Sequence, residues 1–276
     1  MLTAEEIQMS AHQLSGTTGL SGTTGLSGPT GLSGTTALVT GASRGFGRSI
    51  AIALSQAGAS VAGLGRDRDR LADLQAELGA GFTPVVADAA DPVAAGQLID
   101  LHRPRVLVLA AGASPLSRPL HQHTWPSFSR TWEVDVQQVF HWTREALLRP
   151  LPPGSVVVAF SSGAAVAGSP VSGGYAGAKA TIRFISAYAA AESQRGALGI
   201  RFVSVLPQLT PATELGAAAV AAYAAREGLD VPAFLAARGP VLTPDQVGKA
   251  VLDLVCDPAL SHPSYLLSAA GLSELQ

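Results

Sequence analysis

From residue 36 onward the chain alternates short, Val- and Leu-rich apolar runs with amphipathic stretches, and this alternation constrains its fold more than any other feature. The apolar runs fall at residues 36–40, 60–64, 84–87, 105–110, 155–160 and 201–206. Gly, Pro or Asp bounds most of them, and they do not alternate strictly between polar and apolar positions. Strands covered on both faces have this character. Helical stretches lie between them at 47–56, 68–78, 91–101, 125–148 and 175–193. The alternation predicts an α/β chain of βαβ units, a Rossmann-type doubly wound parallel sheet in a single domain. Ligands on such a sheet sit at the carboxyl ends of its strands.

Before the first strand the pattern is different. Residues 15–38 repeat a six-residue unit, SGTTGL, SGTTGL, SGPTGL, SGTTAL. Gly, Ser and Thr at that density bury too little apolar area to offset the entropy of ordering. Residues 1–33 therefore read as a flexible extension, and 34–276 as one folded domain closed by a segment at about 208–240. At 276 residues and 47% apolar content, one large core is the expectation. A net charge of −2 with no basic run gives no footprint for nucleic acid. Cys256 is alone, which suits a reducing cytosol, and MLTAEEIQMS is no secretory signal. The Ala-rich stretch 216–225 is shorter than the ~20 residues of a membrane span. These features predict a soluble, cytoplasmic protein with no membrane partner.

The informative residues follow the strands. Thr40-Gly41-Ala42-Ser43-Arg44-Gly45-Phe46-Gly47 opens into a helix with the spacing G-x-x-x-G-x-G. Glycines there permit a tight turn and close approach of a pyrophosphate, whose charge the helix N-terminus favours. Beside the second strand, Gly65-Arg66 puts a cation where an NAD site carries an acid, and Arg44 offers a second. Guanidinium forks suit a 2′-phosphate, so NADP(H) is the expected cofactor. The plainer reading of Arg66 is the start of the charged run RDRDR on a solvated helix face.

Tyr175-Ala176-Gly177-Ala178-Lys179 places a phenol and an ammonium on one helix face. A free phenol, with a pKa of ~10, is a poor base at neutral pH; a neighbouring ammonium stabilises the phenolate. Only Lys179 and Lys249 are lysines, so chance placement in such a motif is improbable. Upstream, Ser162 follows the fifth apolar run, within reach of a substrate oxygen.

In combination these motifs resemble the short-chain dehydrogenase/reductase family over roughly residues 34–270. The resemblance implies an oxidoreductase that moves a hydride between NADP(H) and a carbonyl/alcohol pair. Tyr175 is then the general acid/base, Lys179 lowers its pKa and holds the nicotinamide ribose, and Ser162 orients the substrate. Cofactor contacts are implied at Gly41, Ser43, Arg44, Phe46, Gly47, Arg66, Asp88, Ala89, Ala111, Gly112, Tyr175, Lys179, Pro207 and Thr210. The helix at 125–148 and the one after Tyr175, with its small Ala187, Ala190 and Ala191, resemble the family's subunit interface, implying a homodimer or homotetramer.

Three departures stand out. Leu109-Ala110-Ala111-Gly112 lacks the two amides of the family's Asn-Asn-Ala-Gly, and Gln208 replaces the glycine after Pro207. The family's catalytic asparagine, which holds a water in the proton relay to the lysine, falls on Asp135. Asp135 and the missing amides leave open a non-catalytic NADP-binding or regulatory protein. An epimerase or dehydratase with tightly held cofactor is a third reading. His121 and His123 form His-x-His without a third ligand, so no metal is expected. Trp125, Trp132 and Trp142 are expected to pack in the core or at a subunit contact.

Overall fold

The structure, a computed structural model, describes residues 31–275. Its sheet has the order β3-β2-β1-β4-β5-β6-β7-β8. Strands β1 (Thr36–Thr40), β2 (Ser60–Gly65), β3 (Phe82–Val86), β4 (Val106–Leu109), β5 (Val156–Phe160), β6 (Arg201–Pro207) and β7 (Ser264–Ser268) are parallel. Strand β8 (Gly271–Glu274) returns antiparallel to β7. The sheet is thus parallel except at one edge. The last two strands are absent from the sequence pattern because SYLLS and GLSE are short and partly polar, and pairing rather than composition makes them strands.

Among the described residues ten α-helices accompany the sheet: α1 (Gly45–Gln56), α2 (Arg68–Leu78), α3 (Pro92–His102), α4 (Trp125–Thr131), α5 (Gln137–Leu148), α6 (Ala164–Ala167), α7 (Gly173–Arg195), α8 (Glu214–Glu227), α9 (Val231–Ala236) and α10 (Pro244–Cys256). Neighbouring strand residues point to opposite faces, and both faces are covered. Val39, Val108, Val158 and Val205 pack with Ile50 and Leu54 of α1 and Val251 and Leu254 of α10. Leu38, Leu107 and Val157 pack instead with Leu98 of α3, Val139 and Trp142 of α5 and Ile182 of α7. The central strands need apolar residues at every position for this reason.

Two expectations change. Leu32 lies inside the segment assigned to the extension, yet it is fully buried in the core, with its N–H donating to Ala57 O at 2.7 Å. The ordered domain therefore starts before residue 34; residues 1–30 lie outside the described residues. The long helix at 125–148 is interrupted by a wide π turn, Trp132–Val136, between α4 and α5. Of its three tryptophans, Trp142 is buried, Trp132 donates to Gly174 O at 3.0 Å, and Trp125 is 74% exposed against solvent. The segment at 208–240 holds two helices, α8 and α9.

Strand order reverses between β1 and β4, so the loops after these two strands flank a crevice at the topological switch point.

Candidate functional site

A cavity of about 710 Å³ fills that crevice, lined by the glycine turn, the ends of β2 to β6 and the start of α8. The turn is built for close approach. Gly41 has φ +73, and a Cβ there would lie 2.8 Å from the Ala111 backbone. A Cβ on Gly47 would lie 2.2 Å from Gly41 O. Backbone alone fits at both positions, and the first turn of α1 faces the cavity. Phe46 packs on Phe160 with ring centroids 6.3 Å apart, joining the turn to β5.

Leu109 and Ala110 lack the amides expected after β4, and other residues hold that loop. Thr40 Oγ1 accepts from Ala110 N at 3.0 Å and Ala111 N at 3.2 Å, and donates to Gln138 Oε1 at 2.9 Å. Gln138, buried on α5, closes the network by donating Nε2 to Ala111 O. Sequence reading missed both residues. A polar Thr ending an apolar strand and a Gln within a buried helix face were the available signals.

At the other end of the cavity the structure brings Ser162, Tyr175, Lys179 and Asp135 together. Helix α7 places Lys179 Nζ 5.4 Å from the Tyr175 ring centroid. Nζ donates to Phe160 O at 3.0 Å and meets Asp135 Oδ2 at 3.0 Å. Asp135 is 1% exposed, and its other oxygen accepts from Ala113 N at 2.8 Å. The expected water between the acid and the lysine is not needed. The π turn carries the carboxylate onto the ammonium directly, a place where such turns recur. Gly112 makes room, since a Cβ there would lie 2.9 Å from Asp135 Oδ2. Burial opposes the charge on Lys179, but the field of Asp135, then that of Tyr175, outweighs it and holds the ammonium above the ordinary lysine value. Oδ2 makes no hydrogen bond of good geometry, so the pair is Coulombic first. Ser162 Oγ accepts from Ala164 N at 3.2 Å.

The opposite end carries a second charged cluster. Arg44 pairs with Glu214, the first residue of α8, which also takes Arg70 at 2.9 Å. Arg70 reaches Asp67 at 3.2 Å. Arg44 is therefore already engaged, whereas Arg66 has no ionic partner among the described residues and borders the cavity. Asp88 borders it too, its Oδ1 accepting from Ala90 N at 2.9 Å. Ala89 O is taken by Trp142 Nε1 at 2.9 Å. Ser43, Ala111, Gly112 and Pro207 line the cavity. Thr210 lines it as well, but its hydroxyl donates to Leu242 O at 2.6 Å and so ties down the closing segment. Gln208, at the missing glycine, donates to Pro240 O at 2.9 Å. His123 faces Ser127 Oγ at 3.0 Å and Arg118 O at 3.1 Å.

A family model described as short chain dehydrogenase matches residues 35–224. D-erythrulose reductase of Gallus gallus is 34% identical over 125 residues, 44% of this chain and 50% of the relative. The chain spans about half the length of the curated relatives it matches. A structure described as an NAD(P)-dependent gluconate 5-dehydrogenase of Beutenbergia cavernae, with NADP bound at low occupancy, is 27% identical. It covers 87% of this chain and 96% of its own, with a TM-score of 0.72. The 3-ketoacyl-(acyl-carrier-protein) reductase of Brucella melitensis, solved with NADH, shares the fold at 24% identity, with 83% and 93% coverage and a TM-score of 0.68.

Proposed function

The chain belongs to the short-chain dehydrogenase family, and from that premise we propose that it is an NADP(H)-dependent oxidoreductase acting on a carbonyl/alcohol pair through Tyr175, Lys179 and Ser162. The observation that carries the reading is the Tyr175 ring beside a buried, pinned Lys179 ammonium in the cavity at the switch point. Glycine at 41 and 47 lets the turn pack tightly on neighbouring backbone at the cavity edge, where a pyrophosphate would lie, with Arg66 available to a 2′-phosphate and Asp88 to the adenine. When bound, the nicotinamide supplies or accepts the hydride.

The protein's part is the proton and the geometry. Tyr175 gives its hydroxyl proton to the carbonyl oxygen, or takes it from the alcohol. The Lys179 ammonium stabilises the phenolate that remains. Ser162 donates to the same substrate oxygen and holds it beside Tyr175. Asp135 acts through Lys179 as a positioning residue: its charge and the Phe160 O hydrogen bond fix Nζ, and the ammonium keeps a proton for a ribose hydroxyl.

NADPH oxidation against a panel of ketones and aldehydes tests the reading. Tyr175→Phe should lower kcat by roughly 10²–10⁴-fold, the usual share of a general acid. Cofactor binding without turnover of any carbonyl would favour the non-catalytic alternative, which the Asp135–Lys179 contact supports. Conversion without net NADPH consumption would point to an epimerase or dehydratase. Association through α5 and α7 belongs to the same proposal. Phe140, Phe184 and Tyr188 are half or more exposed there, and Phe184 stacks on Tyr188 at 6.1 Å, a face suited to a second copy in a homodimer or homotetramer. No helix among the described residues is long and apolar enough to cross a membrane.

A further inference from the structure

The far wall of the cavity carries information about the substrate itself, given the dehydrogenase reading above. Charge is compensated or distant throughout this region. Asp135 neutralises Lys179, Glu214 holds Arg44, and Arg66 and Asp88 belong to the ends of β2 and β3. Apart from these charged groups the lining includes Ala164, Ala167, Leu209, Leu215 and Ala219, apolar side chains, with Gln208 and Thr213 as neutral polar neighbours. A carboxylate or phosphate placed there would lose its hydration with no positive partner.

Two hydroxyl-bearing residues interrupt this apolar wall, Ser172 at the start of α7 and Tyr223 on α8. Ser169 joins them. Its Oγ accepts from the Tyr223 hydroxyl at 2.5 Å and from Ser172 N at 3.0 Å. Both lone pairs are then used, so the Ser169 proton goes to Ser172 Oγ, 2.6 Å away. That leaves the Ser172 proton without a protein acceptor among the described residues, and Ser172 borders the cavity. Tyr223, having given its proton away, offers only lone pairs. The chain therefore presents a donor at one end and an acceptor at the other, each polarised by the bonds behind it. A single alcohol group satisfies both. An anion satisfies only the donor and is repelled by the Tyr223 lone pairs.

We infer that the substrate is an uncharged carbonyl compound with an apolar middle and a second neutral oxygen function, read by the hydroxyl chain of Tyr223, Ser169 and Ser172. Its class is the neutral hydroxy-carbonyl, not the keto acid or the phosphorylated sugar.

Three six-carbon methyl ketones, ending in a methyl, a hydroxymethyl or a carboxylate group, test this by calorimetric binding to the full chain with NADP⁺ present. The hydroxymethyl ketone should bind at least tenfold more tightly than the carboxylate, and more tightly than the methyl compound. Equal or tighter binding of the carboxylate, or no binding of any of the three, overturns the inference. Tyr223→Phe and Ser172→Ala should each erase the preference for hydroxymethyl over methyl. Retention of that preference in both variants also overturns it. If either variant fails to fold, the ranking in the parent protein decides. NADPH consumption with the same ketones is scored separately: a bound ketone that is never reduced would sink the dehydrogenase reading while leaving the binding preference measured.

Discussion

The two ends of the cavity each hold a carboxylate against basic side chains, and the two clusters do different work. At the Tyr175 end, Asp135 and Lys179 are 1% and 6% exposed and touch at 3.0 Å. At the other end, Glu214 sits between Arg44 and Arg70 with 59% of its side chain in solvent. Water screens the second cluster, so its pairs exchange partners at little cost. The first has no water to fall back on. Removing one partner leaves a bare buried charge. Burial thus makes one ion pair a fixture and leaves the other open to competition from a phosphate.

Asp135→Ala should have the largest effect on stability. It strands the Lys179 ammonium and the Ala113 N–H, at about 3–5 kcal/mol for a broken buried pair. Thermal unfolding should show a large drop in Tm, whereas Glu214→Ala should leave Tm nearly unchanged. Equal drops would erase the distinction between the clusters. The pair should also stabilise evenly across neutral pH. Because the folded-state pKa of Lys179 is raised, its contribution is fully present below the ordinary value of 10.5 and fades only as pH rises through the folded value.

Asp135→Asn keeps the acceptor for Ala113 N and removes the charge. Lys179 is already protonated at neutral pH, so the extra field of the carboxylate adds little to the ammonium while it opposes the phenolate. The parent should therefore oxidise alcohols best at a more alkaline pH than Asp135→Asn, by roughly one unit, or ~1.4 kcal/mol. Superimposable basic limbs in matched pH–rate profiles would show that the carboxylate does not act on proton transfer.

Arg66→Ala should weaken NADPH roughly tenfold or more and spare NADH, since a charge-assisted bond to phosphate is worth ~1.5–3 kcal/mol. Tighter NADH than NADPH binding in the parent would overturn the cofactor assignment. Glu214→Gln should give the smallest change, a few-fold tighter NADPH at low salt as Arg44 and Arg70 are released, vanishing near 1 M salt. An unchanged affinity at low salt would mean that Glu214 and the phosphate do not compete.

Much of the scaffold was legible in order of residues. Strands β1 to β6 and helices α1 to α3 follow the apolar periodicity, because each depends on neighbours two to four residues away. The glycine turn and the Tyr175/Lys179 face were legible for the same reason: local geometry determines which side chains share a surface. Strand β3 showed the limit, beginning at Phe82 rather than two residues later, because pairing with β2 sets its register.

Sequence by itself determined the doubly wound class, the carboxyl ends of the strands as the place to look for a site, and the phenol and ammonium that share one helix face there. Tertiary structure decided which charges meet. Thr40 reaches Gln138 across 98 residues and Arg44 reaches Glu214 across 170, separations at which no periodicity carries information. Asp135 is the sharpest case. Its place in the chain suggested a partner one water away, but the extra residue in the turn Trp132–Val136 rotates the carboxylate onto Lys179. A shift in helical phase moves a side chain by several ångströms, and only packing of that helix against α7 specifies the phase.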